Sequence, residues 1–227
     1  MNIFKVIKMI DDPTINNNRE YNYTGHETQY RDEYPIIEDL IKPNSKVIDL
    51  GCGNGSLLQL LKDKKNIQEY GIELVRSGVD MCLEKGLNVR QGSIDCHLSE
   101  IEDKQFDYAI CNVTIQMVMY PEVLLSEMKR IAHYQIISFP NFANWRNRLD
   151  LLLRGRMPKP MLFGYDWYNT GHIHQLSVKD FLDLAEKCDL TVCRQIHIGI
   201  WSWIGYIRNW NSNLFSTISI YLLKDKL

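Results

Sequence analysis

From position 43 onward, short apolar runs alternate with stretches whose apolar residues recur at three- and four-residue spacing. Runs of the first kind predict strands and stretches of the second kind predict helices. The first strand is expected over 46–50, with its helix over 56–64. A second strand over 68–73 leads to a helix over 77–85, which Gly86 ends in the left-handed C-terminal manner. A third strand follows over 88–92 and a fourth over 106–112. The next helix opens at Pro121, a residue suited to the first helical position, and a fifth strand covers 134–139. Regular strand–helix alternation with short connections predicts a parallel sheet covered on both faces.

The alternation breaks between 141 and 175, a segment dense in Arg, Trp, Tyr, His, Gly and Pro, whose one helical stretch is 145–154. It resumes at Ser177-Val-Lys-Asp180, which reads as a capping box opening a helix. Strands over 191–198 and 217–223 complete a seven-stranded, mostly parallel α/β sheet with helices on both faces and an insertion after strand five. One domain is expected over 31–227. The polar leader 1–30, preceding a periodic segment at 34–41, is expected as a tail or a lid. In open α/β sheets ligands sit beyond the carboxyl ends of the strands, so the loops after strands one, two, four and five should line the site.

Composition adds exclusions. With 227 residues, 45% of them hydrophobic and 24% charged, the chain suits one well-buried core. A net charge of −2 gives no electrostatic reason to expect nucleic acid as a partner. The cysteines at 52, 82, 96, 111, 188 and 193 show no metal-binding spacing and read as reduced, mostly buried small hydrophobes, so no metal is expected. Neither a secretory signal nor an apolar run of ~18 residues is present, which leads to the expectation of a cytoplasmic protein without a membrane span.

The chemistry concentrates in Lys46-Val-Ile-Asp-Leu-Gly-Cys-Gly-Asn-Gly55, a strand followed by a glycine turn that opens directly into a helix. Glycines let a ligand approach the backbone, and the first turn of the helix presents unpaired N–H groups. About twenty residues on, Glu73 closes the second strand, where a carboxylate can accept hydrogen bonds from ribose hydroxyls. A dinucleotide fingerprint needs a third glycine where Ser56 stands, so a nicotinamide cofactor is disfavoured. Asp49 inside the strand suits a cationic ligand better than a pyrophosphate. This D-x-G-x-G-x-G form resembles motif I of the class I S-adenosylmethionine-dependent methyltransferases.

The segments Ser138-Phe-Pro-Asn-Phe142, Trp145-Arg-Asn-Arg-Leu149, Leu153-Arg-Gly-Arg-Met-Pro158, Trp167-Tyr-Asn-Thr170, Ile173-His174 and Asn213-Leu-Phe215 are similar to the MetW family. That resemblance, covering the chain from about position 34 onward, implies a Rossmann-like class I methyltransferase fold and a place in methionine metabolism. It also implies association with a homoserine O-acyltransferase, and through related methyltransferases a link to saccharide-linked acceptors. The chain departs from the family after strand three, where Ser93 stands in place of the usual acidic residue and Asp95 is the nearest carboxylate.

The expected cofactor, S-adenosylmethionine with S-adenosylhomocysteine as product, would be held by Asp49, Gly51, Cys52, Gly53, Asn54, Glu73, Ser93, Ile94 and Asn112. An acceptor would meet Gln116, Asn141, Trp145, Arg146, Arg154, Arg156 and Tyr165. The arginines are suited to an acidic acceptor or partner, with a solvated helix face as the alternative. His174, then His172 with neighbouring Tyr168, are the candidates to take a proton from the acceptor, since His titrates near neutral pH. Asp107, at the start of its strand, is expected to be structural. Two readings follow: a methyltransferase acting on a small-molecule or saccharide-linked acceptor, by O- or N-methylation, or an accessory protein that supports the acyltransferase.

Overall fold

The structure, a computed structural model, describes residues 30–158, 167, 170–199 and 211–226. Its elements run in chain order as α1 (Tyr34–Leu40), β1 (Lys46–Leu50), α2 (Ser56–Lys65), β2 (Gln68–Glu73), α3 (Arg76–Glu84), β3 (Val89–Gln91) and β4 (Phe106–Asn112). A single 3-10 turn (Ile115–Met117) precedes α4 (Pro121–Ile131) and β5 (Ala132–Pro140). Then come α5 (Trp145–Arg154), α6 (Val178–Lys187), β6 (Leu190–Ile198), α7 (Ser212–Phe215) and β7 (Ile218–Asp225).

The sheet has the order β3-β2-β1-β4-β5-β7-β6. Neighbours are parallel from β3 to β5, whereas β7 runs antiparallel to both β5 and β6. The chain winds outward from β1 to β3, then returns to the other side of β1 with β4. A crevice therefore opens at the carboxyl ends of β1 and β4, where an open α/β sheet places its ligand. Apolar residues fill both faces: Leu124, Leu125, Met128 and Phe181 pack on one, and Ile37, Leu57, Leu58 and Val79 on the other.

Local chemistry explains the elements. Gly86, at φ +70, ends α3 after Lys85, as its position in the sequence predicts. Pro121 opens α4, and α6 begins with a complete capping box in which Ser177 and Asp180 exchange hydrogen bonds. Strand β5 begins two residues earlier than the apolar run suggests and ends one later, because it is paired on both sides, with β4 and with β7. Edge strand β3 has one neighbour and shortens to three residues. Asp107 is structural: its Oδ2 accepts the Lys46 backbone N–H at 2.8 Å, anchoring the start of β1.

The expectation for the cysteines needs correction. All six are free, but Cys52, Cys82 and Cys111 are buried while Cys96 and Cys193 are exposed. The last two lie on a loop and on the outermost strand β6, where none of the described elements covers them. Among the described residues no group of three metal-ligating side chains occurs, and no helix is long and apolar enough to cross a membrane.

Candidate functional site

The site is built on the turn between β1 and α2. Gly51, Gly53 and Gly55 all have positive φ, at 85°, 57° and 74°. At Gly51 a Cβ would lie 2.6 Å from the Thr114 methyl, so only glycine lets the turn sit against the loop after β4. The second strand is bound into the same turn, since Gly51 N and Cys52 N both donate to the Ile72 carbonyl. Glu73, the last residue of β2, accepts from Gly53 N at 2.7 Å through Oε2 and from Val75 N at 2.9 Å through Oε1. With a third backbone bond from Leu74, the carboxylate keeps about one of its four acceptor positions, which a ribose hydroxyl can use.

Two buried carboxylates face this turn. Asp49, within β1, is 2% exposed, and its Oδ1 has no hydrogen-bond partner. Burial first, and then repulsion from Glu73, pushes its pKa up to about 8. Glu73 is also raised, by burial, against the lowering effect of its backbone hydrogen bonds from Val75, Gly53 and Leu74. A buried acceptor of this kind is stabilised by a donor, and a cationic one suits both groups. Beneath the turn, Cys52 is held well above the ordinary thiol range by its hydrogen bond with Cys82 and by burial, which makes it inert packing rather than a nucleophile.

The remaining expected cofactor residues divide by environment. The Asn54 side chain turns inward and accepts from Ser56 N at 3.1 Å and from Ser56 Oγ at 2.8 Å, so it organises the start of α2. Ile94 is buried, and Ser93 Oγ donates to Asp95 Oδ1 at 2.5 Å. Asp95 Oδ2 in turn accepts from Met119 N and Tyr120 N, tying the loop after β3 to the approach of α4. Asn112, ending β4, is fixed by Ser138 Oγ, which donates to its Oδ1 at 2.5 Å. Its Nδ2 therefore points at Glu33, whose Oε1 accepts at 3.3 Å.

Of the residues expected to meet an acceptor, Gln116 is buried in the loop after β4, and its backbone carbonyl accepts from both Ile173 N and His174 N at 3.0 Å. These bonds bring His174 to the carboxyl edge of the sheet, where its Nε2 approaches the Met119 carbonyl at 3.4 Å. His172 is buried, with its backbone N–H on Thr170 Oγ1. Asn141 is a junction: its amide nitrogen donates to Ser216 O and Asn213 O at 3.1 Å, and its Oδ1 accepts from Ala143 N and Val178 N. It thus joins the end of β5 to α5, α6 and α7.

Trp145, Arg146 and Arg154 share α5, with Arg156 two residues past its end. Arg146 stacks over the Trp145 ring, and Arg154 pairs with Asp150 at 3.0 Å. Within α5 only Asn147 is buried. Tyr165 and Tyr168 lie outside the described residues, as do Tyr21, Tyr23 and His26 of the leader.

Sequence reading missed Glu33 and Tyr34. Both are buried, and Tyr34 is close enough to Arg31, Asp49 and Glu33 to be influenced by all three charges. The only signal for them was the first periodic segment, whose apolar residues also explain it as ordinary packing.

The turn, Glu73 and Asn112 occupy the ligand crevice of a doubly wound sheet, and comparisons with known proteins agree with that architecture. A solved structure of a S-adenosylmethionine-dependent methyltransferase from Thermotoga maritima, described as a possible histamine N-methyltransferase, superposes with a TM-score of 0.63 over 90% of this chain and 93% of that one, at 18% identity. A second, a methyltransferase of the same kind from Archaeoglobus fulgidus, superposes with a TM-score of 0.62 over 91% and 100% of the two chains, at 16% identity. These likenesses show the class I methyltransferase fold. In sequence, the chain is 34% identical over 174 residues to the bifunctional methionine biosynthesis protein MetXA/MetW of Rhodopirellula baltica, a match spanning 73% of this chain but only 28% of the relative's length. The pattern of the family described as methionine biosynthesis protein MetW matches residues 31–223, and the chain belongs to the MetW family.

Proposed function

We propose that this chain is a MetW protein that binds S-adenosylmethionine or its demethylated product in the turn between β1 and α2, and that it supports a homoserine O-acyltransferase in methionine biosynthesis. The observation that carries the partner is α5. Leu152 and Leu153 are 79% and 76% exposed, Leu149 and Met157 are also open to solvent, and the same helix and the residues just after it carry Arg146, Arg148, Arg154 and Arg156. Exposed apolar side chains with arginines along the same segment have the composition of a protein interface. The relative in which the MetW-like portion is part of one longer bifunctional protein supports the same reading.

Binding needs nothing beyond the residues already in place. The glycine turn admits the nucleoside, Glu73 takes the ribose hydroxyls, and Asp49 and Asn112 lie toward the methionine end. When bound, S-adenosylmethionine supplies an electrophilic methyl group. What the protein adds is position and exclusion of water.

Co-expression with a homoserine O-acyltransferase, followed by affinity capture and acyltransferase assay, tests the proposal. A stable complex with raised acyltransferase activity is expected, and the double variant Leu152→Glu/Leu153→Glu should abolish capture while leaving the melting temperature unchanged. Capture unaffected by the double variant would remove α5 from the account. A second reading, transfer of the methyl group to a small-molecule or saccharide-linked acceptor, is favoured by the tether that places His174 beside the loop after β4. Under that reading, S-adenosylhomocysteine should accumulate with an added acceptor, and His174→Ala should slow it about a hundredfold.

A further inference from the structure

A surface helix ordinarily holds to its domain by an apolar stripe, but α5 buries a single residue, Asn147. Its attachment is instead a row of asparagines three positions apart, Asn141, Asn144 and Asn147, all of them buried. The Nδ2 groups of Asn141 and Asn144 both donate to the Ser216 carbonyl, at 3.1 and 2.8 Å, and that of Asn147 donates to the Phe142 carbonyl at 3.0 Å. Asn144 also caps the helix by accepting from Arg146 N. The exposed leucines of α5 therefore stand wherever the end of β5 places these three side chains.

The end of β5 is in turn fixed by the loop after β4. Ser138 Oγ donates to Asn112 Oδ1 at 2.5 Å, and Val113 N donates to both the carbonyl and the Oγ of Ser138. On the same loop, the Gln116 carbonyl accepts from Ile173 N and His174 N, so residues 112–116 hold the segment that carries α5 at both of its ends. This loop also touches the glycine turn. Asp49 stands opposite Ile110 in the parallel register of β1 and β4, which sets Gly51 beside Asn112, and the Thr114 methyl is 2.6 Å from where a Gly51 Cβ would lie. A hydrogen-bonded chain couples two sites only if one of its members has two arrangements. The loop bears the marks of one: Val113, a β-branched residue, is held at φ +53, and Gln116 Oε1 is buried with no hydrogen-bond partner among the described residues. Both disfavour the loop's path when it stands alone, and support from a neighbour offsets them.

We propose that occupancy of the nucleoside site strengthens docking of the acyltransferase on α5, with the loop after β4 as the connecting element. A nucleoside seated on the glycine turn holds Gly51 against the Thr114 methyl, which keeps residues 112–116 on the path that fixes both ends of the α5 segment. Part of the ordering that docking requires is then already present, and the partner binds more tightly. By linkage, the acyltransferase tightens nucleoside binding by the same factor. The inference rests on the cofactor and partner readings above and adds the regulation that joins them: the acyltransferase is held according to the supply of S-adenosyl compounds. Thr114 and Asn144 act as positioning residues at the two ends of the connection.

Titration of the full chain with a homoserine O-acyltransferase, with and without saturating S-adenosylhomocysteine, measures the coupling. The nucleoside should lower the Kd about tenfold, and excess acyltransferase should lower the Kd for S-adenosylhomocysteine by the same factor. Thr114→Ser removes the methyl against Gly51 and keeps the hydroxyl that donates to the Asn112 carbonyl at 3.0 Å. Its coupling should fall to about threefold or less, while nucleoside binding without the partner stays within about a factor of three of wild type. Asn144→Ser keeps a capping hydroxyl, gives up the bond to Ser216, and should lose the coupling from the other end. Hydrogen exchange on the chain alone gives a readout that needs no partner. S-Adenosylhomocysteine should slow the α5 amides about threefold or more in wild type and leave them unchanged in both variants. Equal Kd values with and without nucleoside, or weaker docking with it, would overturn the coupling and leave both readings intact. Coupling undiminished in Thr114→Ser and Asn144→Ser would overturn the loop as its carrier. A chain that binds the nucleoside but not the acyltransferase would overturn the partner reading and this inference with it; one that binds no nucleoside would overturn the cofactor reading and this inference with it.

Discussion

Asp49 makes the sharpest residue-scale prediction. Its pKa of about 8 lies above the roughly 3.9 expected in an unfolded chain, so the folded state binds the extra proton and stability falls as pH rises from about 4 to about 8. A cationic ligand beside it favours the ionised form. Binding near neutral pH should therefore release a proton from Asp49, and affinity should climb with pH until about 8 and then level off. Calorimetry in two buffers of different ionisation enthalpy measures that proton directly; Asp49→Asn should abolish its release, and an unchanged release in the variant would locate the proton elsewhere. Glycines give a paired prediction. At Gly78 a Cβ would meet the Gly53 carbonyl at 2.7 Å and the Glu73 Cγ at 3.0 Å, so Gly78→Ala must push α3 off the turn and weaken nucleoside binding at least tenfold. Gly86 has φ +70 and nothing within 4 Å, so Gly86→Ala should cost about 1 kcal/mol in chemical denaturation and leave binding intact.

Among the elements, α4 is held by one polar cluster as well as by its apolar face. Burial alone would raise Glu127, but hydrogen bonds from Arg130, the Leu98 N–H and His97 outweigh it and bring its pKa down to about 2. Arg130 also donates to the Ile101 and Leu98 carbonyls, so the pair closes the loop between β3 and β4 over the helix. For a lowered carboxylate the sign is the reverse of Asp49: the contribution is complete above about 4 and is lost as pH falls toward 2. Glu127→Gln should lower stability by roughly 2 kcal/mol at pH 7 and by much less at pH 3, as urea melts at the two values would show. These elements were legible to different degrees for physical reasons. Strands β1, β2 and β4 and helix α5 have the bounds that the periodicity predicts, because each is a contiguous apolar or amphipathic run. The Glu73 partnership was readable from spacing, since the carboxylate must end the neighbouring strand. The contact between Glu33 and Asn112 was not, because the two stand 79 positions apart and no local pattern encodes that meeting.

At the scale of the molecule, the crevice lies where the two halves of the sheet diverge, and a ligand there touches β1, β2, β4 and the approach to α1 at once. Such a ligand binds the folded chain and not the unfolded one, so it raises the stability of the whole domain by mass action, about 2.7 kcal/mol at a hundred times its Kd. For a domain of this size, that corresponds to a rise in Tm of roughly 5–10 °C. S-Adenosylhomocysteine should give this rise in a thermal melt of wild-type protein and lose it in Glu73→Ala. It should give the full rise in Leu152→Glu/Leu153→Glu, because α5 presents those side chains to solvent and leaves the turn untouched. The same double variant should lose the acyltransferase, so the two properties separate on one molecule. A double variant that loses the thermal rise along with the partner would mean that α5 supports the cofactor site, and its exposed leucines would then have to be explained from within the domain.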